Sequence, residues 1–396
     1  MKEQEKFLIN GYIQELKQNV NFSENALSVF IDDVKTFNTT ESGLFNTIFA
    51  NYHYDSLANI SVRLEIKRKE LETLFKEPDF ASINSDLIEK IITKQLRKYE
   101  EELVNYISSF PKGTSKKIRL NGQTLSLLRD CTCANYFKRE FVTSYETTYG
   151  DKRVGPFLKA VFEDYANKPF FEREQIYYKD TINKINQAIG YEVRIRITLK
   201  EKLNKKGETI PYKFVLTPYK IVQDKNKLFN YVIGYGKSFN ASEEEKQKIV
   251  CYRISNIADA FVQTSSQDHI SKKEASVLEE ELSKRGAMYL TDEIIKVKVE
   301  FTKRGLENFK RFIYQRPSDY VVDENNQFVY LFQTTKNQAI NYFFKFGWDA
   351  KIIEPDFLYT EFKKRYERAA QVYNGLSKDE IALKEKKELE DGNKCV

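Results

Sequence analysis

Histidine is nearly missing from this 396-residue chain: His53 and His269 are the only two, far apart in sequence and without flanking ligand residues. A metallohydrolase or a histidine-based acid–base enzyme would have very little to work with. Cysteine is scarce as well. Of Cys131, Cys133, Cys251 and Cys395 only the first two are close, and Cys-Thr-Cys has no second pair at zinc-finger spacing. The four therefore read as packed or surface thiols, and no metal is expected. No run approaches the roughly 18 apolar residues that span a bilayer. The opening Met1-Lys2-Glu3-Gln4-Glu5-Lys6 is too charged for a secretory signal, so a cytoplasmic protein with no membrane partner is expected. A glycine-rich phosphate loop is lacking too, because Ile233-Gly234-Tyr235-Gly236 has no lysine at the required spacing. With no activated nucleophile, acid–base pair or metal set in view, the sequence predicts a protein that is not an enzyme and carries no cofactor.

What the chain has is apolar and aromatic material for packed cores, 41% hydrophobic and 14% aromatic residues, beside 31% charged residues for its surface. Its length exceeds the roughly 250 to 300 residues at which one core stops growing, so three domains are expected. The net charge of +6 is unevenly spread. Between Glu192 and Lys237 eleven basic residues face four acidic ones, so this stretch alone carries +7 and the rest of the chain −1. Basicity confined to one module is the electrostatic footprint expected of a phosphate-binding surface.

Periodicity divides the chain into an α+β multidomain protein. Residues 1–185 read as an N-terminal ribbon-helix-helix-like helical region. Leu27 to Ile31 alternates like a short strand, and Leu44, Phe45, Ile48, Phe49 and Tyr52 follow at helical spacing. A long amphipathic helix is predicted from about Asp86 to Phe110, capped by Ser85 and stopped by Pro111-Lys112-Gly113. A second strand, Lys117 to Asn121, a helix from about Gln123 to Arg129 and another from Gly155 to Tyr165 then repeat the pattern. Phe157, Leu158, Val161, Phe162 and Tyr165 align without a gap on the first helical set, and Val29 and Ile31 align with Ile118 and Leu120. Two fused strand-helix-helix units are expected to share a two-stranded ribbon. Its outer face would offer Lys117, Arg119 and Asn121 from one strand but Ser28, Phe30 and Asp32 from the other, a weak face for reading duplex DNA.

Residues 186–270 change to β texture, with strands Tyr191 to Leu199, Tyr212 to Val222, Phe229 to Gly236 and Ile249 to Ser255 that suggest a small barrel. A polar helical linker, 271–286, leads to an α+β domain at 287–376. That domain is read as strand Ile295 to Phe301, helix Lys303 to Tyr314, strand Phe328 to Gln333, helix Lys336 to Phe346, strand Ala350 to Ile353 and helix Asp356 to Tyr373, of a ferredoxin-like kind. A polar tail, 377–396, follows.

Within the β region, Leu216-Thr217-Pro218-Tyr219-Lys220-Ile221-Val222, Asn230-Tyr231-Val232-Ile233-Gly234-Tyr235 and Cys251-Tyr252-Arg253-Ile254-Ser255-Asn256-Ile257 resemble the three signature strands of a WYL domain. Lys220 stands where that family usually has arginine, and Asn230 replaces its eponymous tryptophan. Phe346-Gly347 and Ile353-Glu354-Pro355-Asp356 resemble the extension that commonly follows such domains, so the resemblance runs from about Lys116 to Asn374. Phe157 to Ala166 and Tyr314-Gln315-Arg316-Pro317 are similar to segments of the WYL accessory proteins of type VI CRISPR effectors. The resemblance implies an Sm/SH3-like barrel, a homodimer formed through the C-terminal domain, single-stranded RNA as ligand, and an RNA-guided CRISPR effector as partner. It also leaves open a transcriptional regulator whose ribbon contacts DNA. An open barrel face that mixes cations and aromatic plates suits single strands. Arg253, Lys220, Arg194 and Arg196 are the phosphate-pairing candidates, Tyr219, Tyr231, Tyr235 and Tyr252 the stacking candidates, and Ser255 a hydroxyl donor beside Arg253. Strand alternation puts Tyr231 and Tyr235 on one face, and sends Tyr219 and Lys220, like Tyr252 and Arg253, opposite ways.

Overall fold

A computed structural model describes residues 15–80, 82–124, 126–127, 154–200, 202–203, 209–210, 212–224, 228–242, 244–377 and 380. Cys131, Cys133, Cys395, residues 125, 128 and 129 of the expected 123–129 helix and nearly all of the 377–396 tail lie outside these residues. The chain divides into two compact units, Met1–Asn183 and Lys184–Val396. Among the described residues no helix is long and apolar enough to cross a membrane.

The first unit begins with β1 (Glu15–Phe22), followed by α1 (Glu24–Phe37), α2 (Glu41–Tyr52), α3 (Ile60–Leu74), α4 (Ser85–Ser108), β2 (Thr114–Asn121), α5 (Val154–Ala166) and α6 (Phe170–Tyr177); α7 (Lys179–Gly190) carries the chain onward. The ribbon is real, but its first strand is not the expected one. β1 pairs antiparallel with β2, Leu16 opposite Leu120 and Gln18 opposite Ile118, while Leu27 to Ile31 belongs to α1. Five residues are too few to separate a period of 2 from one of 3.6. Over the whole of α1 the buried positions Ala26, Phe30 and Phe37 sit on helical spacing, and Ser23 caps the start by accepting from the Ala26 N–H at 3.1 Å. Ser28, Phe30 and Asp32 are thus helix residues and not part of the ribbon face. The cap of α4 is likewise Asn84, not Ser85, accepting from the Asp86 N–H at 2.7 Å.

The alignment of the two later helices fares better. Every aligned apolar position on α2 and α5 is buried, and their rings meet, with Phe45 and Phe162 centroids 4.9 Å apart. Phe22 and Phe30 (5.2 Å) and Phe30 and Phe45 (5.1 Å) join the ribbon to this core. Three consecutive acidic or phenolic groups then clip α5 to its surroundings. Glu163 accepts from the Ser23 N–H (2.6 Å) and hydroxyl (2.8 Å). Asp164 accepts from Tyr52, Ser56, the Leu57 N–H and Tyr106, and the Tyr165 hydroxyl donates to Asp33 at 2.7 Å. Such buried carboxylates persist because each is met by several donors.

The second unit holds two sheets. The first comprises β3 (Val193–Leu199), β6 (Lys213–Gln223), β7 (Asn230–Ser238), β8 (Lys248–Arg253) and β9 (Ile257–Gln267); between β3 and β6 lies a two-residue pair, β4 (Lys202–Leu203) with β5 (Thr209–Ile210). The order is β8-β7-β6-β3-β9, antiparallel throughout. A closed barrel was expected; the described residues form an open sheet, because β8 and β9, although joined by a short 3-10 turn at Ile254–Asn256, occupy opposite edges. Next, α8 (Lys272–Arg285) occupies the stretch expected to be a linker. It is a well-formed helix with a reciprocal Ser271/Glu274 capping box and a fully buried Leu278.

The second sheet has the order β11-β12-β10-β13, built from β10 (Ile294–Phe301), α9 (Lys303–Arg311), β11 (Asp319–Val322), β12 (Val329–Thr335), α10 (Lys336–Phe343), β13 (Ala350–Glu354) and α11 (Asp356–Tyr373). This β-α-β-β-α-β succession contains β11, a strand missing from the expected order, and α9 ends at Arg311 rather than running to Tyr314. Most of its aromatic load is core: Phe301, Phe309, Phe332, Tyr342, Phe343 and Phe346 are buried together. Trp348, 77% exposed, and Tyr373, 91% exposed, are among those that are not.

Candidate nucleic-acid interface

Cross-strand register shows which side chains share a face. In an antiparallel pair, opposed residues project to the same side of the sheet. Arg196 lies opposite Val215 and Phe261; Val215 opposite Lys237; Thr217 opposite Tyr235; Ile233 opposite Lys220 and Cys251; Tyr231 opposite Val222 and Arg253. The five-stranded sheet therefore gathers Arg196, Lys220, Arg253, Tyr231 and Tyr235 on one side. Arg194 joins them, since it and Thr217 both donate to the same Asp268 oxygen, at 2.5 and 2.9 Å. Ile195, Ile197, Leu216 and Val232 fill the other side, each fully buried, and Tyr252 packs there against Phe214 with centroids 5.1 Å apart. Burial raises the Tyr252 phenol far above its ordinary range.

The face is not uniformly open. At its β7–β8 end the 3-10 turn Ala287–Tyr289 and helix α8 lie over it. Tyr231 is buried, and the Cys251 thiol, pushed up to about 12 by burial, points at the Ala287 carbonyl oxygen 3.1 Å away. Tyr219 and Lys220 converge on α8: both donate to the same Glu279 oxygen, from the phenol at 2.9 Å and from Nζ at 2.5 Å. Simple alternation sent these two neighbours opposite ways. The reason it fails is a β-bulge: register slips between Pro218 and Lys220. Proline donates no ladder hydrogen bond, so a bulge accommodates it within a central strand. Opposite Pro218 stands Gly234, where a Cβ would fall 2.1 Å from the Thr217 carbonyl oxygen, so the close approach requires glycine. The hydrogen bonds from Lys220 and then Tyr219 hold the Glu279 carboxyl below its ordinary value, and that same bond raises the Tyr219 phenol. Tyr235 reaches α8 as well, its hydroxyl 3.4 Å from the Glu274 carbonyl oxygen.

Arg253 is half-buried with its guanidinium carbon 3.3 Å from the Phe229 ring centroid. Ser255 does not continue that strand; it lies in the 3-10 turn with a buried hydroxyl oxygen, which corrects the expectation of a hydroxyl presented beside Arg253. Arg194 is held by Asp268, whose carboxyl is pulled two ways: burial raises it, and the bonds from Arg194 and Thr217 outweigh this and lower it. At the β3–β9 end the face is open. Here Arg196 projects between Phe239 and Phe261, with its guanidinium carbon 5.7 and 5.1 Å from their centroids. Neither phenylalanine was singled out from the sequence. Phe261 follows the signature strands and Phe239 lies just past the end of β7, so only the pairing register reveals that they flank Arg196.

A second basic face lies on the ribbon of the first unit. With Val20, Phe22, Ile118 and Leu120 buried, the exposed side carries Lys17 opposite Arg119, Asn19 opposite Lys117 and Asn21 opposite Ser115, with Asn121 at the end. The weak half expected from Ser28, Phe30 and Asp32 is replaced by lysine and two asparagines. Among the described residues no cluster of His, Cys, Asp and Glu is arranged to hold a metal ion.

Neither a protein-family model nor a curated protein matches the chain. A solved structure does, over 92% of this chain and 95% of its own length, at 25% identity and a TM-score of 0.63. That structure is the crystal structure of a CRISPR Cas-related protein. At that coverage the likeness reaches residues of both units. A second likeness, to proteasome accessory factor B/C of Arthrobacter aurescens, has 13% identity, a TM-score of 0.21 and 48% coverage of this chain, too weak to inform the fold.

Proposed function

We propose that this chain is a WYL-domain accessory factor of a CRISPR system that binds single-stranded RNA on the cationic face of its five-stranded sheet and enhances an RNA-guided CRISPR ribonuclease. The observation that carries this reading is the convergence of Arg194, Arg196, Lys220, Arg253 and Tyr235 on one sheet face. Guanidinium groups pair with phosphate oxygens bidentately, and aromatic plates accept unpaired bases. The near full-length likeness to a CRISPR Cas-related protein supports the biological setting. In this reading Glu279 occupies the phosphate place beside Lys220 until a nucleic acid displaces it. A homodimer fits the apolar surface of the C-terminal sheet, where Val321 at the β11 edge is 63% exposed.

The direct test adds the protein to an RNA-guided ribonuclease encoded beside it and measures target cleavage. Stimulation by the wild type that falls on removing Arg194, Arg196 and Lys220 together supports the proposal. Undiminished stimulation by that triple variant overturns the placement of the site. A second reading, a transcriptional regulator that contacts duplex DNA, is favoured by one observation, the polar ribbon face of Lys17, Asn19, Asn21, Lys117, Arg119 and Asn121. Two-stranded ribbons of this kind enter the major groove, where lysine, arginine and asparagine match base edges. Tight binding of one duplex that is lost on Arg119→Ala but kept on Arg196→Ala would establish it.

A further inference from the structure

The residues that the sequence offered as stacking plates are engaged elsewhere. Tyr231 is only 8% exposed, Tyr219 is tied to Glu279, and Tyr235 reaches α8. A single strand bound on this face needs other aromatic surface. Two rings have it: Phe239 is 45% and Phe261 56% exposed, both on the cationic side and both against the Arg196 guanidinium. A lone exposed phenylalanine means little. Two of them bracketing one arginine, on a sheet whose opposite side is closed core, form a surface of defined chemistry. Lys213 lies beside it, its carbonyl accepting from the Phe239 N–H at 2.9 Å, and Lys237 stands opposite Val215 on the same side.

We propose that Phe239 and Phe261 are the base-stacking plates of this interface, receiving unpaired nucleobases of a single strand while Arg196 between them pairs with the intervening phosphate. The proposal rests on the nucleic-acid reading given above and deepens it. Phenylalanine has no hydrogen-bonding edge, so these plates accept any base and confer no sequence preference. They select against duplex, whose bases are already stacked on one another. The arginine fixes where the backbone passes, and the rings supply contact area without charge.

Stacking and charge separate in a salt series. A single-stranded RNA carrying one 2-aminopurine is titrated with wild type, Phe261→Ala, Phe261→Leu, Phe239→Ala and Arg196→Ala. Leucine keeps the apolar volume and removes only the π face, so the test survives if an alanine variant folds poorly. The expected result is a loss of about five- to a hundredfold in affinity for each phenylalanine variant. The slope of log K against log salt should stay as in wild type, and the 2-aminopurine quenching should disappear. Arg196→Ala should instead make that slope shallower by about 0.7. Phenylalanine variants that bind and quench like wild type, with Arg196→Ala weakened, overturn the plates and leave the interface standing. A wild type that binds no single-stranded RNA at low salt overturns both.

Discussion

Arg253 and Arg196 sit on the same sheet face and differ in what surrounds them. The Arg253 guanidinium lies over Phe229 and is half-buried, so its removal takes away packing as well as charge. Arg253→Ala is expected to lower stability by about 1 to 2 kcal/mol in urea denaturation and to weaken RNA binding together with it. Arg196→Ala should stay within about 0.5 kcal/mol of wild type while weakening binding. In the first unit Asp164 has the opposite character, a carboxylate buried among donors of the protein itself. It accepts from Tyr52 at 2.7 Å, Ser56 at 2.9 Å, the Leu57 N–H at 2.8 Å and Tyr106 at 3.0 Å. Asp164→Ala leaves these donors facing a hole and is expected to cost about 3 kcal/mol or more by the same measurement. Burial, and then the Asp164 charge, push the Tyr106 phenol from 10.0 up to about 12. A raised value contributes stability that is complete below 10, because neither the folded nor the unfolded chain is ionised there. It is lost as pH rises toward 12, where the unfolded chain has given up a proton the folded one retains. The unfolding free energy of the wild type should accordingly fall between pH 10 and 12, and a Tyr106→Phe variant should fall less.

At the scale of the elements, helix α8 changes meaning most. Its polar, charged sequence reads as a linker, since nothing in a run such as Lys272-Lys273-Glu274 says what it lies against. The structure puts its Glu279 on Tyr219 and Lys220. Removing that carboxylate frees a cation, so Glu279→Gln is expected to tighten binding of a single-stranded uridine oligomer about two- to fivefold, as measured by anisotropy. The Glu279 carboxyl is held below its ordinary 4.5. Its hold on Lys220 is thus intact above that value and is lost as pH falls through the depressed one. Acidification below 4.5 should tighten wild type toward Glu279→Gln and leave the variant unchanged. The three signature strands of the β region were legible because they are rich in Val, Ile, Tyr and Phe and are parted by turn residues. What alternation could not show was the bulge at Pro218, which depends on Gly234 across the sheet, or the phenylalanines flanking Arg196, which meet only through pairing. Short segments misled for a related reason. Leu27 to Ile31 satisfies two periods at once, and β11, four residues long and exposed throughout, has no buried face to leave a pattern.

Five of the eleven basic residues in the charge-rich stretch, Arg194, Arg196, Lys213, Lys220 and Lys237, lie in the strands of the open sheet of the second unit, while the ribbon of the first unit offers a polar face of its own. The near full-length likeness to a CRISPR Cas-related protein reaches residues of both units. If the sheet is the nucleic-acid site, affinity must follow its cations and prefer unpaired bases. The most direct test is fluorescence anisotropy of the full chain with one labelled single-stranded RNA and one labelled duplex DNA across a salt series. The account predicts binding of the single strand at low salt that weakens steeply as salt rises, with the duplex bound more weakly, and loss of the single-strand signal when Arg194, Arg196 and Lys220 are replaced together. Equal or tighter binding of the duplex, or single-strand binding that survives the loss of those three cations, would contradict it.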